Sequence, residues 1–231
     1  MFTSLLNLIL PSTCYLCGRI IEAPGFCPSC IEGFKFITGP ICPTCGVPFV
    51  SQEMEDHPCG RCIKGRRPFQ KARSIGLYEG SLLEAIHLFK YNGKTGLAKS
   101  LGGMMAEAIT NPNDYHLVVP IPLHRTRLRE RGFNQSLLLA KEIGTVWGIP
   151  IDYINLQRIR PTEPQINLKG KERIRNVKGA FAVKGEKAFK GKRVLLIDDV
   201  YTTGATVSEC SKVLKKAKAK RVEVLTLARV V

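Results

Sequence analysis

Eight of the nine cysteines in this 231-residue chain fall into four Cys-x-x-Cys pairs: Cys14 with Cys17, Cys27 with Cys30, Cys42 with Cys45, and Cys59 with Cys62. No other feature restricts the fold so tightly. Two intervening residues let both sulfurs reach one ion while neighbouring amides point at them, and four thiolates close a tetrahedral zinc site. Gly18, Gly46 and Gly60 stand beside these cysteines, where tight turns favour glycine. A disulfide framework and redox pairs are the alternatives. No basic-headed leader precedes the cysteines, so disulfides would face a reducing compartment. Four repeats of one spacing are also unlike a single redox pair. The spacing therefore predicts two structural zinc ions, with sequential pairing the simplest arrangement and crossed pairing still open. Residues 1–68 offer few long apolar periods, so metal would have to supply what a core does not. That divides the chain into a zinc module over 1–68 and a second domain over 69–231, whose core is expected to be separate. His57 is expected to be a surface residue instead of a ligand, and Cys210 a small core residue on a helix.

Composition narrows the partners. Hydrophobic residues make up 44% of the chain, enough for a packed core. The net charge is +16, and it is uneven: six of the 35 basic residues and five of the 19 acidic ones lie in 1–70, leaving an excess of 15 on the remainder. Such a balance favours nucleic acid, phosphates or an acidic membrane face. The opening "MFTSLLNLILPSTC" is too short to span a bilayer and lacks a basic leader region, so a short amphipathic helix packed on the body is expected. With no other candidate span, the cytoplasm is the expected location.

Beyond Arg66-Arg67-Pro68, apolar periodicity alternates between two forms. "ARSIGLYEG" reads as a strand. Residues 81–110 carry Leu82, Leu83, Ile86, Phe89 and Leu97 at helical intervals, with a break at Asn92-Gly93. "HLVVPIP" reads as a buried strand ended by Pro120 and Pro122. "NQSLLLAKEIGTVWG" has an Asn cap and a closing Gly148. "IDYINLQRI" reads as a strand, 160–179 shows neither period, and "AFAV" is a short strand. A helix over 204–219 and the strand "RVEVLTLARVV" complete the chain. Strands alternating with helices predict an α/β fold with a mainly parallel sheet flanked by helices.

The segment "VLLIDDVYTTGAT", residues 194–206, concentrates the chemistry. Val194–Ile197 is apolar without alternation, as in a strand covered on both faces. Asp198 and Asp199 follow at its carboxyl end, where open α/β sheets bind ligands. Thr202, Thr203, Gly204, Ala205 and Thr206 then form a turn into a helix, which offers backbone amides, hydroxyls and the positive end of a helix dipole to a phosphate. Without Gly-Lys-Ser/Thr it is not a Walker loop. The paired aspartates suit ribose hydroxyls or a magnesium ion, and without such a partner they would be costly.

This segment resembles the phosphoribosyl-pyrophosphate motif of type I phosphoribosyltransferases. The resemblance implies that Asp198 and Asp199 hold ribose hydroxyls and Thr202 to Thr206 the 5′-phosphate. It also implies that the parallel sheet carries a flexible hood. Nearly the whole chain, through its Cys-x-x-Cys pairs, "FKYNGK", "VPIPLHRTRLRERGFNQS" and "VLLIDDVYTTGAT", resembles the ComF family of competence-associated, phosphoribosyltransferase-fold proteins. That likeness implies a pyrophosphate loop at Pro122, Leu123, His124 and Arg125. The "RxRxxRGFNQ" element matches at Arg125, Arg127, Arg131, Gly132, Phe133, Asn134 and Gln135. Arg125 and Arg131, with cations from 158–175, are candidates for clamping pyrophosphate, and Asp199 for stabilising the reacting ribose. The family implies phosphoribosyl pyrophosphate with Mg²⁺ as ligand, single-stranded DNA as partner, and a competence helicase or other DNA-processing proteins alongside. Three readings compete: a DNA-handling protein that keeps the nucleotide site, an active phosphoribosyltransferase in nucleotide salvage, and a regulator that senses the pyrophosphate without turnover. Within 158–193, twelve basic residues stand against Glu163, Glu172 and Glu186, so the hood itself is a candidate surface for a polyanion.

Overall fold

The computed structural model describes residues 11–50, 55–163 and 170–231. Residues 1–10 of the stretch expected to form an amino-terminal helix, and the middle of the basic segment, 164–169, lie outside the described residues. The central sheet contains β1 (Lys71–Leu77), β2 (Leu117–Pro120), β5 (Arg193–Tyr201) and β6 (Arg221–Arg229), all parallel in the order β1-β6-β5-β2. Strands β3 (Leu156–Arg158) and β4 (Phe181–Val183) form a separate antiparallel pair. Of the shorter helices, α1 (Pro28–Glu32) and α2 (Gly60–Lys64) each begin just after a cysteine of the zinc module, and α8 (Glu186–Phe189) leads into β5.

The unbroken apolar run of β5 is explained by its two covered faces. Leu195 and Ile197 join one core cluster with Leu225 and Leu227 of β6, while Val194 and Leu196 join a second with Val222 and Val224. Over the first face pack α3 (Gly80–Tyr91), α4 (Leu97–Glu107) and α6 (Gln135–Trp147), through Leu82, Ile86, Phe89, Leu101, Leu139 and Ile143. Over the second packs α9 (Ala205–Lys216), through Val207, Cys210 and Leu214. Burying each such side chain is worth about 1.5–3 kcal/mol, so alternation of the sheet residues between two cores fixes the register of the strands. Helix α6 begins where its cap was expected, with the Asn134 side chain accepting from the Ser136 amide at 3.1 Å, and ends at Gly148 with φ 65°.

Two segments depart from the sequence reading. "IDYINLQRI" keeps only Leu156–Arg158 as strand, and that strand pairs with β4 instead of the main sheet. Asp152 is the reason: its carboxylate accepts from the amides of Ile154 at 3.0 Å and Asn155 at 2.8 Å, turning the chain away after a single bridge between Ile151 and Val118. Residues 160–179, read as aperiodic, contain α7 (Gly170–Val177). A helix this short owes its stability to tertiary contact. Val177, with Ala180 and Phe181 beyond it, is buried in the α9 cluster, which pins the base of the hood.

The cysteines gather as two quartets, Cys14/Cys17/Cys27/Cys30 and Cys42/Cys45/Cys59/Cys62, with all sulfurs of a quartet within 4.8 Å of one another. Pairing is sequential. Cys17 and Cys27 sulfurs lie 3.6 Å apart, as do those of Cys45 and Cys59. A tetrahedron with Zn–S of about 2.3 Å puts its sulfurs about 3.8 Å apart, so the quartets fit zinc. Their proton affinities fit too. Burial alone would raise Cys14 and Cys42, but surrounding backbone amides outweigh it and bring both down to about 6. Burial and crowding by the other thiols push Cys30 and Cys45 up to about 12. A divalent cation would let all four ionise together. His57 stands outside the quartet, stacked on Phe49 at 3.8 Å.

The zinc module does not have the separate core the sequence suggested. Its Phe26 and Phe34 are buried in the cluster that holds Leu82, Phe89 and Leu101. Its backbone also covers the outer edge of β1: Ile37 N–H donates to the Ile75 carbonyl at 3.0 Å, Leu77 N–H to Lys35 at 2.8 Å, and Ala72 N–H to Thr44 at 2.8 Å. An otherwise open sheet edge is thereby closed. Metal analysis should find about two zinc ions per chain, because each quartet is a closed site. Strong chelation should lower the melting temperature of the whole chain in one transition, since the modules share a core. An unchanged second transition in calorimetry would contradict this.

Candidate functional site

The site is built where β5 runs into α9. The strand does not stop at Ile197: Asp198 is still paired with Thr226, and Tyr201 with Arg229. Asp198 and Asp199 are therefore held by a rigid ladder close to the carboxyl edge of the sheet. Asp198 accepts from the Ser136 hydroxyl at 3.0 Å and from the Asp199 amide at 3.0 Å. Burial, reinforced by the Asp199 carboxylate, pushes Asp198 from an ordinary 3.8 up to about 7. Asp199 pairs with the Lys90 ammonium at 2.9 Å, each side chain only 14% exposed. Burial would depress Lys90, and the Asp199 carboxylate outweighs it, holding the ammonium above its ordinary range. Removing one partner of such a pair leaves an uncompensated charge and costs about 3–5 kcal/mol.

After Tyr201 comes the turn. Gly204 takes φ 76° as the cap of the twelve-residue α9, and a side chain there would collide with Tyr201. The Thr203 hydroxyl accepts from the Ala205 amide at 3.3 Å. The helix start presents amides and a positive dipole end beside the aspartates.

Across a cleft of about 580 Å³ stand cations from three elements. Arg127 and Arg131 come from α5 (Arg125–Arg131), Arg158 from β3 and Arg173 from α7. Arg131 donates to Gln135 at 3.0 Å and stacks on Tyr91 at 5.3 Å. Arg158 lies 5.4 Å over the Phe181 ring, its Nε buried without a hydrogen-bond partner. The "RGFNQ" element ties this wall together. Asn134 donates to the Ile121 carbonyl at 3.0 Å, and Gln135 reaches Arg131 on one side and the Lys90 carbonyl on the other.

Of the residues singled out from sequence, Asp198, Asp199, Thr202, Gly204, Ala205, Thr206, Leu123 and Arg131 line this cleft. Pro122, His124, Arg125 and Thr203 do not. His124 caps α5, its Nδ1 accepting from the Thr126 amide at 3.4 Å, and Arg125 is exposed on the first turn. Thr203 faces the zinc module on the other side of the turn. Arg158 and Arg173, from the 158–175 stretch expected to supply cations, also line the cleft, whereas Lys90, Tyr78 and Ser136 do so without having been singled out. Lys90 carried a signal: it directly follows the buried Phe89 in a helix.

Residues 5–63 match the double zinc ribbon domain family, and residues 134–230 match the phosphoribosyl transferase domain family. The chain is 31% identical to the DNA utilization protein YhgH of Salmonella typhimurium, over 96% of this chain and 99% of that protein. It is 32% identical to competence protein F of Haemophilus influenzae, over 90% and 92%. Against competence protein ComFC of Bacillus subtilis it is 33% identical over 88% and 83%. The chain belongs to the ComF family. The ComF likeness inferred from the cysteine pairs and the Asp-Asp turn thus extends along the whole chain. Among the described residues no helix is long and apolar enough to cross a membrane.

The raised Asp198 has a thermodynamic consequence. Unfolding returns it to about 3.8, so the folded protein binds the extra proton between those values and loses stability as pH rises from about 4 to about 7. Asp198→Asn should be more stable than the parent, by about 2 kcal/mol after discounting the part of the carboxylate that meets water. That advantage should grow across this window and level off above it. Denaturant unfolding of both proteins at about pH 4.5 and about pH 8 measures the difference, and an advantage that shrinks with pH would contradict the assignment.

Proposed function

We propose that the cleft binds phosphoribosyl pyrophosphate and that the protein uses this site in handling DNA taken up by the cell. One observation carries the reading: a half-buried carboxylate pair lies directly beside a threonine-rich helix start, at the carboxyl ends of parallel strands. The ribose hydroxyls go to Asp198 and Asp199, and the 5′-phosphate to the turn from Thr202 to Thr206. The pyrophosphate faces Arg127, Arg131 and Arg158. A magnesium ion reaching this floor would have to displace the Lys90 ammonium from Asp199. Asp198 and Asp199 would share in holding it, and it would neutralise charge on the pyrophosphate. Transfer from such a ligand needs little covalent help: fixed cations hold the leaving pyrophosphate while the carboxylates face a ribose that becomes oxocarbenium-like.

The DNA part rests on different support. The relatives named for DNA utilization and competence span most of this chain, and the excess of basic residues beyond residue 70 suits a single-stranded polyanion. We place the division between zinc module and transferase-like domain near residue 68.

Isothermal titration of the zinc-loaded protein with phosphoribosyl pyrophosphate and Mg²⁺ tests the cleft. Asp199→Asn and Arg131→Ala should each weaken binding by about 10- to 150-fold, corresponding to about 1.5–3 kcal/mol for a charge-assisted hydrogen bond. Melting curves separate this loss from unfolding. Parent affinity in both folded variants would place the ligand elsewhere.

A further inference from the structure

A second hollow, of about 510 Å³, lies between the phosphate turn and the second cysteine quartet. Tyr201, Thr202 and Val230 line both it and the cleft, so the turn is a wall shared by two chambers. Four cations face this hollow, Arg61, Lys64, Arg67 and Arg229, and among the described residues no Asp or Glu lines it. Part of that charge has a local duty. Arg229 donates to the Cys45 carbonyl at 2.7 Å and stands 4.9 Å over the Tyr201 ring, and Arg67 bonds to Cys62. A zinc ion with four thiolates carries two net negative charges, which these two arginines balance. Arg61 and Lys64 remain. They sit on the exposed α2, and neither forms an ion pair among the described residues.

Two further features indicate a ligand. Arg229 is 4% exposed, yet its Nε has no hydrogen-bond partner. A buried donor of that kind calls for an acceptor. On the apolar side, Phe49 lines the hollow with its ring backed by His57 at 3.8 Å. A flat aromatic face beside cations suits a nucleotide with an unstacked base, whereas a duplex keeps the faces of its bases stacked. The geometry points to a seat for one nucleotide of a single-stranded polynucleotide, whose backbone crosses the turn at Thr202 and continues into the cleft. The seat stands on the residues of the hollow, and the crossing rests on the reading of the cleft as a phosphoribosyl pyrophosphate site. The strand therefore lies on the zinc module side of the turn as well as near the basic hood.

Fluorescence anisotropy with a labelled oligothymidylate of about 16 nucleotides tests this on the zinc-loaded full chain. In Arg61→Ala/Lys64→Ala, the slope of log affinity against log salt should flatten by about 1.4, or about 0.7 for each phosphate that is no longer neutralised. Phe49→Ala should weaken binding about fivefold or more, the lower end of base stacking on an aromatic ring. Both should bind phosphoribosyl pyrophosphate as the parent does. That ligand and the strand should weaken each other equally, because both use Thr202. Parent slope in the double variant with parent affinity in Phe49→Ala overturns the seat, as does a blunt duplex that binds as tightly as the strand. Absence of competition overturns the crossing alone. Failure of phosphoribosyl pyrophosphate to bind at all defeats the cleft reading and leaves the variants to judge the seat.

Discussion

Two adjacent carboxylates at the end of a doubly covered strand set the terms for the rest of the molecule. Asp198 and Asp199 cannot both be withdrawn from water unless something opposes their charge. Lys90, brought by α3, opposes one, and Ser136, brought by the first turn of α6, holds the other. Both helices must therefore pack on the same face of the sheet, and their shared cluster of Leu82, Phe89, Leu139 and Ile143 keeps them there. The arrangement stores a cost at the carboxyl edge, seen in the raised Asp198. Such strain at a site is stabilised by the core around it.

The zinc module serves that core instead of standing beside it. By closing the outer edge of β1 and sending Phe26 and Phe34 under α3 and α4, it completes one face of the sheet. Its second quartet reaches further. Arg229, on the last strand, touches Cys45 and the Tyr201 ring at once, so the second cysteine quartet, the final strand and the turn into α9 are physically continuous. Arg73 of β1 makes a parallel connection, donating to the Pro43 carbonyl at 3.1 Å. The first quartet has no such link to the turn among the described residues.

Much of this could be read from the sequence, for identifiable reasons. The zinc quartets follow from local spacing, because two residues between thiolates leave little geometric freedom. The buried strand, the Asp-Asp pair and the helix start were legible because the whole unit is contiguous. Asn134 and Gly148 marked α6 correctly because caps act over one turn. What stayed hidden depends on residues far apart in the chain. Lys90 gains its meaning only when Asp199 arrives 109 positions later. The junction of the two modules, with Phe34 packed near Leu101, has no local signature. Helix α7 escaped notice because its stabilising contacts lie on α9, and β3 shrank because one Asx turn at Asp152 outweighed an apolar pattern.

The most direct test of the carboxylate account is a proton count. Titration calorimetry of phosphoribosyl pyrophosphate with Mg²⁺, at about pH 7 in buffers of different ionisation enthalpy, measures protons exchanged on binding. Asp198, raised to about 7 in the free protein, is half protonated there and must ionise to serve a cationic or hydroxyl-bearing ligand. The parent should release about half a proton more than Asp198→Asn does, and that difference should vanish at about pH 9. Equal proton release by the two proteins at about pH 7, with binding retained, would contradict the role assigned to the buried pair.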